Sequence, residues 1–246
     1  MTPISRRSVA LRTTAAASWR NATKRLEDIV VAAMGIVILA PVFAVIAIAI
    51  RLDDGGPVFY RQVRVGRAGR PFEIDKFRSM TSAPKGTLSA LTIAGDPRVT
   101  RVGAFLRRAK LDELPQLFNV LQGEMSLVGP RPETPDLMFH YSRSQRAVMT
   151  SVRPGMTDYA SVLLRDESEL LARVPEPARF YRERIMPLKC ELCAHYVDDM
   201  GPLADMRILL ATIWSVVFPG APNPMIDRAI SSRLERAVAL GNDNVA

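Results

Sequence analysis

The sequence is short of cysteine, of histidine and, over one stretch, of charge. Two cysteines, Cys190 and Cys193, are all that 246 residues contain. With no second pair, a disulfide framework is excluded. A C-x-x-C pair can begin a zinc site, but such a site needs four ligands. The only histidines, His140 and His195, join the pair at no ligand spacing, so two small helix residues are the plainer reading. Acid is also scarce relative to base. Asp and Glu number 25 against 33 Lys and Arg, a net charge of +8. The basic residues crowd positions 1–110, above all 51–78 and 98–110. A surface of that kind attracts phosphate, whether in nucleic acid, anionic lipid or nucleotide.

From Ile29 to Ile50 the chain carries no charge and no strongly polar side chain. Twenty-two residues at 1.5 Å each reach about 33 Å, enough for a hydrocarbon core of about 30 Å. The run is too long for a signal peptide and lacks a small-residue cleavage site after it. A nucleic-acid-binding protein is a poor reading, because charge alone does not explain this run. Pro41 sits in its middle, where it removes a hydrogen bond and kinks a helix. Arg6, Arg7, Arg12, Arg20, Lys24 and Arg25 precede the run; Arg51, Arg61, Arg64, Arg67 and Arg70 follow it. The positive-inside rule puts both flanks in the cytoplasm. A helix–break–helix that enters and leaves one leaflet satisfies both the proline and the flanks.

The remaining pattern predicts an α+β, mainly helical fold. A basic flexible tail occupies 1–23, the membrane element 24–51, a cytosolic domain 52–218 and a C-terminal tail 219–246. Two short strands, Val58–Val63 and Pro71–Phe77, flank a hairpin turn at 67–70. Residues 81–95 read as a polar loop. Helices are expected over Val99–Lys110, from about Asp112 to a C-cap at Gly123, over 136–150, Glu167–Ala172 and Ala178–Met200, the last interrupted near Pro187. Met206–Phe218 is apolar and carries Trp214, which suits an interfacial amphipathic helix.

Asp112-Glu113 is the chemical candidate. Acids also suit a helix start, and Asp is a preferred N-cap. Arg98, Arg101, Arg107, Arg108 and Lys110 lie just upstream, however. Two carboxylates among cations, beside a membrane, can hold Mg²⁺ and a diphosphate. Gly129-Pro130-Arg131-Pro132-Glu133 presents an arginine stiffened on both sides by proline, suited to a bidentate phosphate contact. Lys76-Phe77-Arg78 and Arg153-Pro154-Gly155 are weaker signals of the same kind.

In order, these segments resemble one family, the bacterial sugar transferases with a monotopic phosphoglycosyl transferase core. The likeness spans Lys24 to Phe218. It rests on Lys24-Arg25, the mid-run proline, Lys76-Phe77-Arg78-Ser79-Met80, Leu111-Asp112-Glu113-Leu114-Pro115-Gln116-Leu117-Phe118-Asn119-Val120, Met125-Ser126-Leu127-Val128-Gly129-Pro130-Arg131-Pro132 and Val152-Arg153-Pro154-Gly155. The resemblance implies a re-entrant membrane helix, a cytoplasmic active site at a bacterial inner membrane, and Mg²⁺. It implies UDP-sugar and polyprenol phosphate as substrates, anionic lipids as surroundings, no nucleic acid, and leaves a homodimer open. Asp112 would attack the sugar-bearing phosphate and release UMP. Glu113 would hold the metal. Arg107, Arg131, Lys76, Arg78 and Arg153 would bind substrate. Two departures stand out. Ala40 replaces the Ser usual before the proline. Thr157-Asp158-Tyr159-Ala160-Ser161-Val162 replaces the common Thr-Gly-Leu-Ala-Gln-Val run, so 158–167 is expected to bear on the choice of sugar.

Overall fold

A computed structural model describes residues 15–81 and 96–242, with side chains for 21–81 and 96–235. The expected loop at 81–95 falls almost wholly outside the described residues, as does the basic tail expected over 1–23 up to residue 14; from residue 15 that segment is helical. The chain is mainly helical, with two two-stranded sheets among the described residues.

Helix α1 runs from Ala15 to Asp54. It is one helix, long and apolar enough over Asn21–Asp54 to cross a membrane by length and composition. Pro41 lies inside it without ending it, so the expected helix–break–helix is corrected to a continuous helix. The reason is packing on both sides of the proline. Asp28, Ala32, Ile46 and Ile50 are buried along one face. Phe43 sets its ring edge-on to Phe77 and Phe118, at 5.2 and 5.9 Å between centroids. Together these contacts outweigh one lost backbone bond. The opposite face leaves Leu26, Val30, Met34, Val37, Ile38, Val45, Ile48 and Leu52 exposed.

Strands β1 (Phe59–Val65) and β2 (Pro71–Phe77) form the expected antiparallel hairpin, in register from Phe59 with Phe77 to Val65 with Pro71. Helix α2 (Arg101–Arg108) is capped twice at its start. The Thr100 hydroxyl accepts from the Gly103 N–H, and Asp53 at the end of α1 accepts from the Val102 N–H. Helix α3 (Gln116–Gln122) ends at Gly123, whose φ of 88° is the left-handed C-cap read from the sequence. Its start is later than expected. Leu111–Glu113 is a separate 3₁₀ turn, and Pro115 takes the N-cap of α3 with φ −61°, a position that asks for no N–H.

Strands β3 (Ser126–Val128) and β4 (Gly155–Thr157) pair in parallel. Three-residue strands show no periodicity, so the sequence suggested only a turn at Arg153-Pro154-Gly155. The two glycines of these motifs meet back to back. A Cβ on Gly155 would stand 2.1 Å from the Gly129 nitrogen, and one on Gly129 would stand 2.5 Å from the Arg153 oxygen. Only glycine permits that approach.

The expected helix over 136–150 is two helices, α4 (Pro135–His140) and α5 (Arg143–Met149). A capping box between Ser142 and Gln145 starts the second. Then follow α6 (Tyr159–Leu163), α7 (Glu167–Ala172) and α8 (Pro177–Phe180), a π-helical turn over Tyr181–Ile185, α9 (Met186–Asp199) and α10 (Pro202–Val217). Tyr141, Tyr159, Tyr181, Tyr196, Leu192 and Ile208 fill the core, with Cys190 and Cys193 buried among them. Residues 219–246, read as a tail, contain α11 (Arg228–Asn242). Ile226 and Ile230 are buried against the core, and Arg233 pairs with Glu191 of α9 at 2.7 Å. On α10, Leu203, Met206, Leu210, Ile213 and Val217 form an exposed stripe at helical spacing.

Candidate active site

Between α2 and α3 the chain turns sharply. Lys110 adopts the left-handed conformation, φ 57°, and the 3₁₀ turn Leu111–Glu113 follows. The turn packs on β2, α2 and the segment after β3, which bring cations to it from three directions.

Glu113 is held from two sides. Lys76 of β2 reaches it at 2.7 Å. Arg131, in the Gly-Pro-Arg-Pro segment after β3, grips both its oxygens; the Nη1 contact is 3.0 Å. Burial alone would raise the Glu113 pKa, but Arg131 and Lys76 together hold it well below the usual carboxylate range. The Glu113 charge in turn raises Arg131. Burial pulls Lys76 down against the attraction of Glu113.

Asp112 behaves in the opposite way. It is buried, and its carboxylate accepts no hydrogen bond among the described residues. Burial, then the neighbouring Glu113 charge, push its pKa up; Lys76, Arg107 and Lys110 pull the other way without winning. The side chain caps no helix, because α3 begins at Gln116. The capping role that local sequence allows for Asp112 is therefore absent. Four residues on, the buried Gln116 has an amide nitrogen without a partner.

The expected substrate residues divide. Lys76, Arg107 and Arg131 gather at the turn. Arg107 lies in the last turn of α2 with its Nη1 3.5 Å from the Met80 sulfur and makes no ion pair among the described residues. Arg78 and Arg153 do not join them. Arg78 pairs with Asp54 and pins the end of α1. Arg153 donates to the Gly123 carbonyl at 3.0 Å, and Arg25 donates to the Val120 and Leu121 carbonyls at 2.6 and 2.9 Å. Both arginines thus satisfy the open carbonyls at the end of α3. Lys24 pairs with Asp205 of α10.

Several supports escaped the sequence reading. Asn119 of α3 donates to the Glu73 carbonyl at 2.7 Å and accepts from the Asp75 N–H at 2.9 Å, fixing β2 beside Lys76. Asp158 accepts from the Arg131 N–H at 3.3 Å while capping α6 through the Ser161 N–H. Arg64 donates to the Pro132 carbonyl at 3.0 Å. Glu133 is buried behind Arg131, where it accepts from the hydroxyls of Tyr181 and Tyr141 at 3.2 and 3.4 Å. Lys189 completes this layer with Glu167 at 2.9 Å. The divergent stretch 158–167 therefore reaches the site through Asp158, through Glu167, and through the Arg165 carbonyl, which accepts from Lys110 at 3.1 Å. Only its departure from the family pattern flagged it beforehand, because each partner lies tens of residues away.

Residues 19–219 match the family described as bacterial sugar transferase. The chain is 39% identical over 194 residues to the UDP-glucose:undecaprenyl-phosphate glucose-1-phosphate transferase of Escherichia coli K12, covering 78% of this chain and 39% of that protein. It is 39% identical over 196 residues to the enzyme of the same name from Caulobacter vibrioides, covering 79% and 69%. It is 42% identical over 142 residues to the UDP-N-acetylgalactosamine-undecaprenyl-phosphate N-acetylgalactosaminephosphotransferase of Aeromonas hydrophila, covering 57% and 34%. The chain thus spans well under half the length of the Escherichia coli and Aeromonas relatives. With the Asp112-Glu113 turn set between β2 and the Gly-Pro-Arg-Pro segment, and with the match running from α1 to the end of α10, the chain belongs to the bacterial sugar transferase family.

Proposed function

We propose that this chain transfers a sugar 1-phosphate from a UDP-sugar to undecaprenyl phosphate through a covalent aspartyl intermediate. The observation that carries this reading is the division of labour between two adjacent carboxylates. Glu113 is held by two cations, whereas the Asp112 carboxylate is buried, under-bonded and near Lys76, Arg107 and Lys110. A poorly solvated carboxylate among cations is a nucleophile placed where an anionic phosphoryl group is attracted.

An Asp112 oxygen attacks the sugar-bearing phosphorus, and the bond from that phosphorus to the oxygen bridging to UMP breaks. UMP leaves with the electron pair, and a sugar-phosphoryl aspartate remains. A phosphate oxygen of undecaprenyl phosphate then attacks the same phosphorus and frees Asp112. Arg107 and Lys110 offset the negative charge that builds during both steps. Glu113 keeps Lys76 and Arg131 in place. The relatives differ in their named sugars, glucose in two and N-acetylgalactosamine in the third, so family membership leaves the sugar open.

Mg²⁺ fits this site as an ion carried on the diphosphate, since such ions take one or two carboxylates plus substrate phosphates and water. Among the described residues no cluster of three or more His, Cys, Asp or Glu could hold a metal ion alone. Asp112 has the open oxygens. Glu113, the expected ligand, already accepts from Lys76 and Arg131, so an ion there would share its oxygens with both cations. When bound, Mg²⁺ would neutralise charge on the transferring group.

Mixing the purified protein with UDP-sugar alone should release up to one equivalent of UMP and add one sugar phosphate to the protein's mass. UMP release that requires undecaprenyl phosphate would replace the covalent route by direct transfer. The single-turnover rate should also fall as acid protonates Asp112, with its midpoint above the usual aspartate value of 3.8. A flat profile down to pH 4 would mean that the Asp112 pKa is not raised in the reacting enzyme.

The membrane seat is part of the same proposal. α1 is fastened to one body at both ends: Asp28 accepts from the Ser126 hydroxyl and the Leu127 N–H, both at 3.0 Å, while Asp53 caps α2. A straight crossing would pull one of these ends away. A helix lying in one leaflet, with its exposed apolar face in lipid and the catalytic turn on the cytoplasmic side of the inner membrane, keeps both. Cysteines introduced at Ala10 and at the exposed Arg61 should react only with reagent supplied from the cytoplasm. Periplasmic labelling of either one would rule out this single-leaflet seat.

A further inference from the structure

A second cationic group lies away from the catalytic turn. The hairpin turn between β1 and β2, the end of α3 and the loop before β4 enclose a recess of about 510 Å³ bounded by Arg67, Arg70, Glu124 and Arg153. Along β2 it sits at Pro71, five residues from Lys76, or about 17 Å at strand spacing. Its three arginines outnumber the one carboxylate on its wall. Arg67, Arg70 and Arg153 make no ion pair among the described residues. Glu124, the one acid on the wall, turns a carboxylate oxygen to the Asn119 amide at 2.8 Å. Asp28, an acid whose charge acts on Arg153, accepts from Ser126 and Leu127. Arg153 loses proton affinity first to burial, then to the like charges of Arg25 and Arg67.

The position matters as much as the charge. Arg25 stands beside Arg153 at the end of α3, and the next residue, Leu26, begins the exposed apolar face of α1. The recess therefore opens at the charged edge of the surface proposed above to meet lipid, where phosphate groups are concentrated. Guanidinium forks match phosphate oxygens in geometry and charge. We propose that the recess bounded by Arg67, Arg70 and Arg153 is an anion site, separate from the Asp112 turn, that binds the phosphate of an anionic lipid headgroup or of a free phosphate ester. The lipid source rests on the membrane seat proposed above; the site itself does not.

The test uses the full chain in detergent, titrated calorimetrically with monomeric dihexanoyl phosphatidylglycerol, dihexanoyl phosphatidylcholine and inorganic phosphate. Arg67→Ala/Arg70→Ala removes two exposed side chains that touch neither Asp112 nor Glu113. Arg179→Ala/Arg182→Ala, which removes the same charge from an exposed face elsewhere, is the control. Losing two charge-assisted contacts should weaken phosphatidylglycerol binding at least about tenfold, with the control unchanged. If only phosphatidylglycerol binding falls, the ligand is a lipid headgroup; if inorganic phosphate binding falls equally, it is phosphate from either source. Binding that is undiminished for both probes, or equally diminished in the control, overturns the site. Donor-only UMP release should be the same in wild type and Arg67→Ala/Arg70→Ala, and its absence from both would count against the covalent route alone.

Discussion

Replacing Asp112 by Asn should reduce sugar-phosphate transfer at least about 10⁴-fold and abolish both UMP release and the gain in mass with donor alone. The fold should lose nothing. Asp112 caps no helix and accepts no hydrogen bond among the described residues, so Asn forfeits no contact. Its carboxylate is a net burden when ionised, because burial and Glu113 outweigh the nearby cations. The sign follows from linkage. An acid whose pKa rises on folding favours the native state below its unfolded value of 3.8 and loses that contribution as the pH climbs through the folded value. At pH 7 the Asn variant should therefore be at least as stable as the wild type, with any difference shrinking toward pH 3. Thermal unfolding at both pH values reads this directly. A variant that unfolds early would give Asp112 a structural role the geometry does not show, and substantial residual turnover would end its candidacy as nucleophile.

Glu113→Gln should fail in another way. Gln keeps the volume and one carbonyl acceptor but leaves Lys76 and Arg131 without their shared counter-charge. Removing one partner of a buried ion pair costs about 3–5 kcal/mol. Some access to solvent at Arg131, 32% exposed, favours the lower end. At about 2–4 °C per kcal/mol for a chain of this size, the apparent Tm should fall by about 6–12 °C at pH 7. The Glu113 pKa is depressed, so its contribution is complete above its unfolded value of 4.5 and disappears as the pH drops through its much lower folded value. Both variants thus converge on the wild type in acid, from opposite sides. Activity should fall as Lys76 and Arg131 lose their orientation. If raising Mg²⁺ restores turnover without restoring Tm, Glu113 also contacts the metal; recovery of neither leaves it as the anchor of the two cations. An unchanged Tm would mean that the ion pairs contribute nothing to the folded state.

Sequence alone determined what depends on a few neighbouring residues. The hairpin was legible from two alternating runs around Arg67-Ala68-Gly69-Arg70. The end of α3 was legible because Gly123 takes a backbone angle that side chains avoid. The apolar run of α1, the family motifs and the chemical identity of the Asp112-Glu113 pair lay equally within short windows. Tertiary structure decided everything that depends on segments meeting. It assigned Lys76 and Arg131 to Glu113 across 37 and 18 positions, and it moved Arg78 to Asp54 and Arg153 to the end of α3. It made the parallel pair of β3 and β4, whose glycines must touch across 26 residues. It carried α1 unbroken past Pro41, because packing along a whole helix face outweighs one missing hydrogen bond. It also separated the two carboxylates. Adjacent side chains of one charge and nearly one pKa diverge only when the fold buries one without partners and surrounds the other with cations, and no local pattern encodes which will be which.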